Sequence, residues 1–207
     1  VYGLAPYQVS KGLYRYDAQS GQLDASYGQG GYIDLSGTFD GKRFCFLSKL
    51  TCGPSYVYVS DSCNHRILRF SRQNGAFESA VAVPKANGIP GGLYHDGSSL
   101  WVLQRDVLQR YDASPSAPMS LAASAPLTSG GQPLKLVNPA GLTRAGSAAA
   151  PGLFFATGMH RLVAIDASGV VQGSYVGAGS YSAVRTPTGD IAVVAKGEIL
   201  RFKPSLL

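Results

Sequence analysis

The stretch Val57-Tyr58-Val59-Ser60-Asp61-Ser62-Cys63-Asn64-His65-Arg66-Ile67-Leu68-Arg69-Phe70 decides the fold. Two short apolar runs flank a polar segment too brief for a helix, which is the pattern of two antiparallel strands joined by a tight connection. Asp61 and Arg66 bracket the turn, so closing the hairpin sets them across from each other, and Asn64 tolerates the left-handed conformation such turns need. As an exposed pair, Asp61 and Arg66 contribute at most about 1 kcal/mol, which makes Asp61, Asn64 and Arg66 a structural device before they are a ligand site.

The same pattern occurs four more times. The copies run from Val1-Tyr2-Gly3-Leu4 to Leu13-Tyr14-Arg15-Tyr16, from Leu100-Trp101-Val102-Leu103 to Leu108-Gln109-Arg110-Tyr111, from Leu153-Phe154-Phe155-Ala156 to Leu162-Val163-Ala164-Ile165, and from Ile191-Ala192-Val193-Val194 to Ile199-Leu200-Arg201-Phe202. The closing residues Tyr16, Phe70, Tyr111, Ile165 and Phe202 recur at intervals of 54, 41, 54 and 37 residues. Asp17, Asp112 and Asp166 each follow a closing residue and start a turn, and Arg72-Gln73-Asn74-Gly75 holds that place in the second copy. A fourth, outer strand is expected to follow each turn, as over 76–83 and 170–176. Upstream, Phe39-Asp40-Gly41, His95-Asp96-Gly97 and Pro187-Thr188-Gly189 read as turns that close an inner strand on the next one.

Four strands in a period of about 40 residues give an all-β propeller, here of about five short four-stranded blades in a single domain over residues 1–207. Continuous apolar runs such as Ile191-Ala192-Val193-Val194-Ala195 fit blades buried on both faces. The first unit starts at its second strand and the fifth stops at its third, so the terminal blades are expected to be incomplete. Either the chain is an excerpt of a longer one, or neighbouring copies complete its edges in a multimer or fibre. The segments 114–131 and 144–152, rich in small residues, read as loop insertions.

Composition agrees with this class. There are 26 Gly, 12 Pro and 12 Tyr but only 14% charged residues, which suits short strands and tight turns. The net charge of +6 is scattered, with no cluster beyond Lys42-Arg43, and this argues against a dedicated nucleic-acid reader. No apolar run approaches the length of a membrane span. No Asn-x-Ser/Thr sequon occurs. Of the three cysteines, Cys45 and Cys52 are close enough in sequence for a small disulfide loop that leaves Cys63 unpaired, and three reduced thiols are the competing reading. The first reading favours an extracellular or cell-surface location.

The unit over Val57 to Phe70 resembles the NHL repeat, with its apolar strand, Asp, turn containing Asn and Arg, and second strand ending in an aromatic. The fourth unit keeps only His160-Arg161-Leu162. The resemblance implies an NHL-like propeller. Enzymes of similar architecture, calcium-dependent lactonase-like hydrolases and hydroxyglycine lyases with a histidine-bound metal, need ligands converging on the axis. His65 and His160 fall in turns at one edge of the disc and His95 at the other, so each is expected to be a polar surface histidine. Asp34 and Asp61 are the nearest approach to calcium ligands, and the two Glu, Glu78 and Glu198, sit away from the innermost strands. No catalytic residue, cofactor or metal site is assigned. The expected function is a non-catalytic scaffold for a protein or glycan partner, or for other copies of itself, and the alternative is a metal-dependent propeller enzyme.

Overall fold

The computed structural model describes residues 1–5, 12–45, 47–144, 154–158, 161–176, 180–195 and 198–203. Blade 1 holds β1 (Tyr2–Ala5), β2 (Gly12–Arg15) and β3 (Tyr32–Asp34), and a small hairpin of β4 (Thr38–Phe39) and β5 (Lys42–Arg43) follows it. Blade 2 holds β6 (Leu47–Cys52), β7 (Tyr56–Asp61), β8 (Arg66–Ser71) and β9 (Phe77–Ala82). Blade 3 holds β10 (Gly92–His95), β11 (Ser99–Leu103), β12 (Val107–Asp112) and β13 (Ser120–Pro126), followed by a second hairpin of β14 (Thr128–Ser129) and β15 (Gln132–Pro133). Blade 4 holds β16 (Gly141–Arg144), β17 (Phe154–Gly158), β18 (Arg161–Ile165) and β19 (Val171–Val176), and blade 5 holds β20 (Ser180–Arg185), β21 (Ile191–Ala195) and β22 (Glu198–Phe202). The protein is a five-bladed β-propeller with antiparallel pairing inside each blade. The first strands of blades 2 to 5, β6, β10, β16 and β20, pack on one another in succession around the axis.

Residue alternation explains how the blades adhere. In β7, Val57 and Val59 join the core between blades 1 and 2, while the intervening Tyr58 joins the core between blades 2 and 3. In β11, Leu100 and Val102 face blade 2, and Trp101 and Leu103 face blade 4. In β17 and β18, Phe154, Ala156, Val163 and Ile165 face blade 3, and Phe155, Leu162 and Ala164 face blade 5. Side chains alternate faces along a strand, so a blade buried on both faces needs an unbroken apolar run. Each fully buried Val, Leu or Phe in these layers contributes roughly 1.5–3 kcal/mol by removal from water.

A bulge recurs where the third strand meets the fourth, at Arg69/Phe70, Arg110/Tyr111 and Ala164/Ile165, which are the closing residues of the repeat. The extra residue bends the outer strand away from flat pairing and sharpens its twist. The turn beyond is held by side-chain capping: the amides of Ser114 and Ser168 donate to the carboxylates of Asp112 and Asp166 at 3.0 and 2.9 Å.

The structure corrects three expectations. Phe39-Asp40-Gly41 is the tip of the separate β4–β5 hairpin, and the turn that closes the inner strand of blade 2 is 53–55. The segment 114–131 is not one loop, because β13 pairs with β12 over six positions as the outer strand of blade 3. Cys45 is bonded to Cys63, with Cα atoms 5.6 Å apart, and Cys52 is the free thiol. Cys52 sits in β6, half-buried against the core between blades 1 and 2, so its side chain is committed to packing instead of meeting Cys45. The segment 145–152 lies outside the described residues.

Candidate functional site

The residues first singled out form a buried clamp. Arg66 Nε lies 2.7 Å from Asp61 Oδ2, and the pair is removed from solvent, with side-chain exposures of 4% and 0%. This corrects the expectation of an exposed pair. Asn64 Nδ2 also donates to Asp61 Oδ2 at 2.8 Å and to the Arg43 carbonyl at 2.9 Å, and the Cys45 amide donates to Asp61 Oδ1 at 3.0 Å. The remaining guanidinium nitrogens of Arg66 donate to the carbonyls of Phe39 and Lys42 at 2.6 and 3.1 Å. The left-handed residue of this turn is His65, with φ 49°, and not Asn64, whose amide is used as the bridge to Arg43. Asp61, Asn64, Arg66 and the Cys45–Cys63 bond therefore fasten the β4–β5 hairpin to the end of blade 2. Asp61 spends its oxygens on these donors, and Asp34 is an exposed cap that accepts from the Ser36 amide and hydroxyl at 2.8 Å each.

The histidines separate as their turns require. His65 lies at the β7–β8 connection, beside the clamp. His95 ends β10 at the opposite edge of the disc, and it is buried, not on the surface, because Tyr58 of the adjacent blade stacks on its ring at 5.2 Å between centroids. Burial pushes its pKa below the ordinary histidine value, against the pull of Asp96. Asp96 holds the turn that follows: burial opposes its ionisation, but hydrogen bonds from Trp101 Nε1 and the amides of Ser99 and Ser98 outweigh this and keep its pKa low. His160 lies outside the described residues. Among the described residues, no group of three His, Cys, Asp or Glu side chains is placed to hold a metal ion.

Sequence reasoning did not single out the concavity on the propeller axis. A cavity of about 340 Å³ is lined by residues of the first strands of four blades: Lys49 to Thr51 on β6, Leu93 and Tyr94 on β10, Gly141 to Thr143 on β16 with Ala140 just before it, and Ala183 to Arg185 on β20. Its charged side chains are Lys49 and Arg185, its polar ones Thr51, Tyr94 and Thr143. Burial pushes the Lys49 ammonium below the usual lysine pKa. The Lys49 backbone is fixed by Ser60, whose hydroxyl accepts from the Lys49 amide at 2.9 Å. Among the described lining residues there is no carboxylate, imidazole or thiol. The described lining can neutralise and hydrogen-bond an anion, and it includes neither a pair of carboxylates nor a hard-cation ligand set. Each of these residues is ordinary within its own strand, and only the circular arrangement of four strands makes them a group.

No family model matches the chain, and no curated protein matches it. Solved structures do resemble it. Glutaminyl cyclase of Myxococcus xanthus superposes with a TM-score of 0.62 at 17% identity, over 92% of this chain and 81% of that one. A 6-phosphogluconolactonase candidate from Bacteroides fragilis gives 0.58 at 14% identity, over 94% of this chain and 64% of that one. Hydrazine synthase of Kuenenia stuttgartiensis gives 0.57 at 18% identity, over 88% and 49%. The chain spans less than two thirds of the length of the last two. At these identities the likeness is one of fold, and the NHL-like reading of Val57 to Phe70 reduces to the statement that this segment is the central hairpin of a propeller blade.

Proposed function

We propose that this propeller is a non-catalytic binding module that receives an anionic group, a carboxylate by preference, in its axial cavity. One observation carries the reading: four blades converge on a cavity whose charged lining residues are Lys49 and Arg185, with hydroxyls of Thr51, Tyr94 and Thr143 beside them and no carboxylate, imidazole or thiol among the described lining residues. A cationic concavity with low-dielectric walls concentrates the field on an incoming anion. An anion beside Lys49 would favour its charged form, which burial disfavours. The carboxylate is that of an acidic protein segment or of an acidic sugar, and the two sources share this chemistry. The Cys45–Cys63 bond supports an extracellular or cell-surface setting, where disulfides persist.

The three similar folds named above all carry enzyme names, among them a glutaminyl cyclase and the lactonase candidate. The chemistry of the lining favours binding over either activity. Calorimetric titration with acidic peptides and with uronate oligosaccharides tests the reading and separates the two sources. Binding that weakens with salt and falls at least about tenfold in a Lys49→Gln/Arg185→Gln chain supports it. A chelator-sensitive turnover of a lactone, or failure of every acidic probe to bind, overturns it.

A further inference from the structure

A second concavity lies away from the axis, between blades 2 and 3, at the edge of the disc that carries His95. It has a volume of about 330 Å³, and Tyr56, Tyr58, His95 and Asp112 are among its lining residues, with Pro54 and Pro115 at its rim. We propose that this cleft binds a neutral hydroxylated ring, a sugar residue of a glycan, independently of the axial cavity.

The polar groups of the cleft are fixed and complementary to such a ligand. His95 Nδ1 accepts from the Gly97 amide at 3.0 Å, so the neutral imidazole carries its proton on Nε2, which makes no hydrogen bond to the described residues. Tyr58 stacks on the ring with 18° between planes and sets its direction, while Tyr58 itself is anchored to the Ala113 carbonyl. Asp112 uses Oδ1 on the Ser114 amide, and its second oxygen is left as an acceptor at the exposed side. Tyr56 forms a stationary wall, because its hydroxyl donates to the Pro115 carbonyl and the Arg69 guanidinium lies 4.4 Å from its ring centroid. A donor, an acceptor and flat apolar walls are thus presented together. A sugar hydroxyl both donates and accepts, and the C–H face of the ring covers aromatic and proline surface.

Charge and topology exclude the other ligand classes. An anion would face the Asp112 carboxylate. A cation would face the His95 Nε2 proton and a Tyr56 ring whose electrons already serve Arg69. An extended peptide would need an open strand edge, and β7 is paired on both sides, with β6 and β8. The volume lies at the lower end of the range for ligand pockets, which suits one ring with water.

The test is an amide NMR titration of the chain with the methyl glycosides of glucose, galactose, mannose and N-acetylglucosamine, and with a capped dipeptide. The expected result is a saturable shift of the Gly97, Ser98 and Ser114 amides with at least one glycoside. Asp112→Asn, which keeps an oxygen for the turn and replaces the outward acceptor, should weaken it about tenfold. His95→Gln should weaken it similarly, and because His95 is buried the exposed Asp112 variant stands as the independent check. The Lys49→Gln/Arg185→Gln chain should bind the glycoside unchanged, so failure here is separable from failure at the axis. Absence of shifts with all four glycosides, shifts insensitive to Asp112→Asn, or shifts produced by the dipeptide instead would overturn the proposal.

Discussion

Arg66 Nε and Asp61 Oδ2, 2.7 Å apart, form a buried charge pair whose other hydrogen bonds run to the β4–β5 hairpin, to the Cys45 amide just beyond it and to Asn64 of the turn. Breaking one side of such a pair leaves an uncompensated buried charge, which typically costs about 3–5 kcal/mol. Arg66→Met is therefore expected to destabilise the fold by that amount in urea unfolding, and Asp61→Asn/Arg66→Met by less than Arg66→Met alone. A cost below about 1 kcal/mol for the single variant would mean the pair is solvated in solution.

The Cys45–Cys63 bond closes a loop of sequence separation 18 over the same hairpin. A loop of that size contributes about 3 kcal/mol by restricting the unfolded chain. Intact mass should rise by two hydrogens on reduction in wild type and in Cys52→Ser, and not in Cys45→Ser/Cys63→Ser, which should also unfold at lower urea. The Cys52 thiol, whose pKa burial pushes up, should resist alkylation until the chain unfolds. Rapid native labelling of Cys52 would show that β6 opens.

Much of this architecture was legible in the chain because both signals are local. Alternating apolar residues around a turn mark Val57 to Phe70 as a hairpin, and Asp112 and Asp166 mark the next turn by a side chain that reaches only two residues ahead. An outer strand is expected after the third unit, but the sequence does not place it at β13, because Ser120 to Pro126 are nearly all exposed and hold no β-branched residue; β12 supplies their hydrogen-bond partners. The disulfide escaped because nearness in sequence says nothing of where Cα atoms lie. His95 resembled a surface turn residue, and its burial comes from Tyr58 of the neighbouring blade. Lys49, Tyr94, Thr143 and Arg185 belong to four blades, and no spacing in the sequence brings them together.

His95 should leave a pH signature. Its pKa is lowered in the fold, chiefly by burial, so the unfolded chain binds the proton more readily. Its contribution to stability is then complete above the ordinary histidine value near 6.5 and is lost as pH falls from there toward the folded value. Protonation also removes the acceptor for the Gly97 amide. Thermal unfolding from about pH 8 to about pH 5 should show a downward slope in wild type that is reduced in His95→Gln. Parallel curves for the two chains would place His95 in solvent.

The junction of blades 3 and 4 offers a sharper steric test. Gly91 precedes β10 and donates its amide to the Leu103 carbonyl at 2.9 Å, with its own backbone at an ordinary negative φ. Its need for glycine comes from its neighbour: a Cβ there would fall inside the carbonyl group of Pro139, just before β16. The obstacle is backbone, which cannot swing away as a side chain can, so relief requires the first strands of blades 3 and 4 to separate along the axis. Overpacking of this kind typically costs about 1–3 kcal/mol. Gly37 is the matching control, since its φ is not positive and a Cβ added there would meet no atom within 4 Å. Gly37→Ala should be neutral or stabilise by up to about 1 kcal/mol through the unfolded chain, while Gly91→Ala should lower the urea midpoint. Because β10 and β16 both line the axial cavity, Gly91→Ala should also weaken the anion binding proposed for it, and Gly37→Ala should not. Equal midpoints for the two variants would mean that the blades do not meet at Gly91 and Pro139.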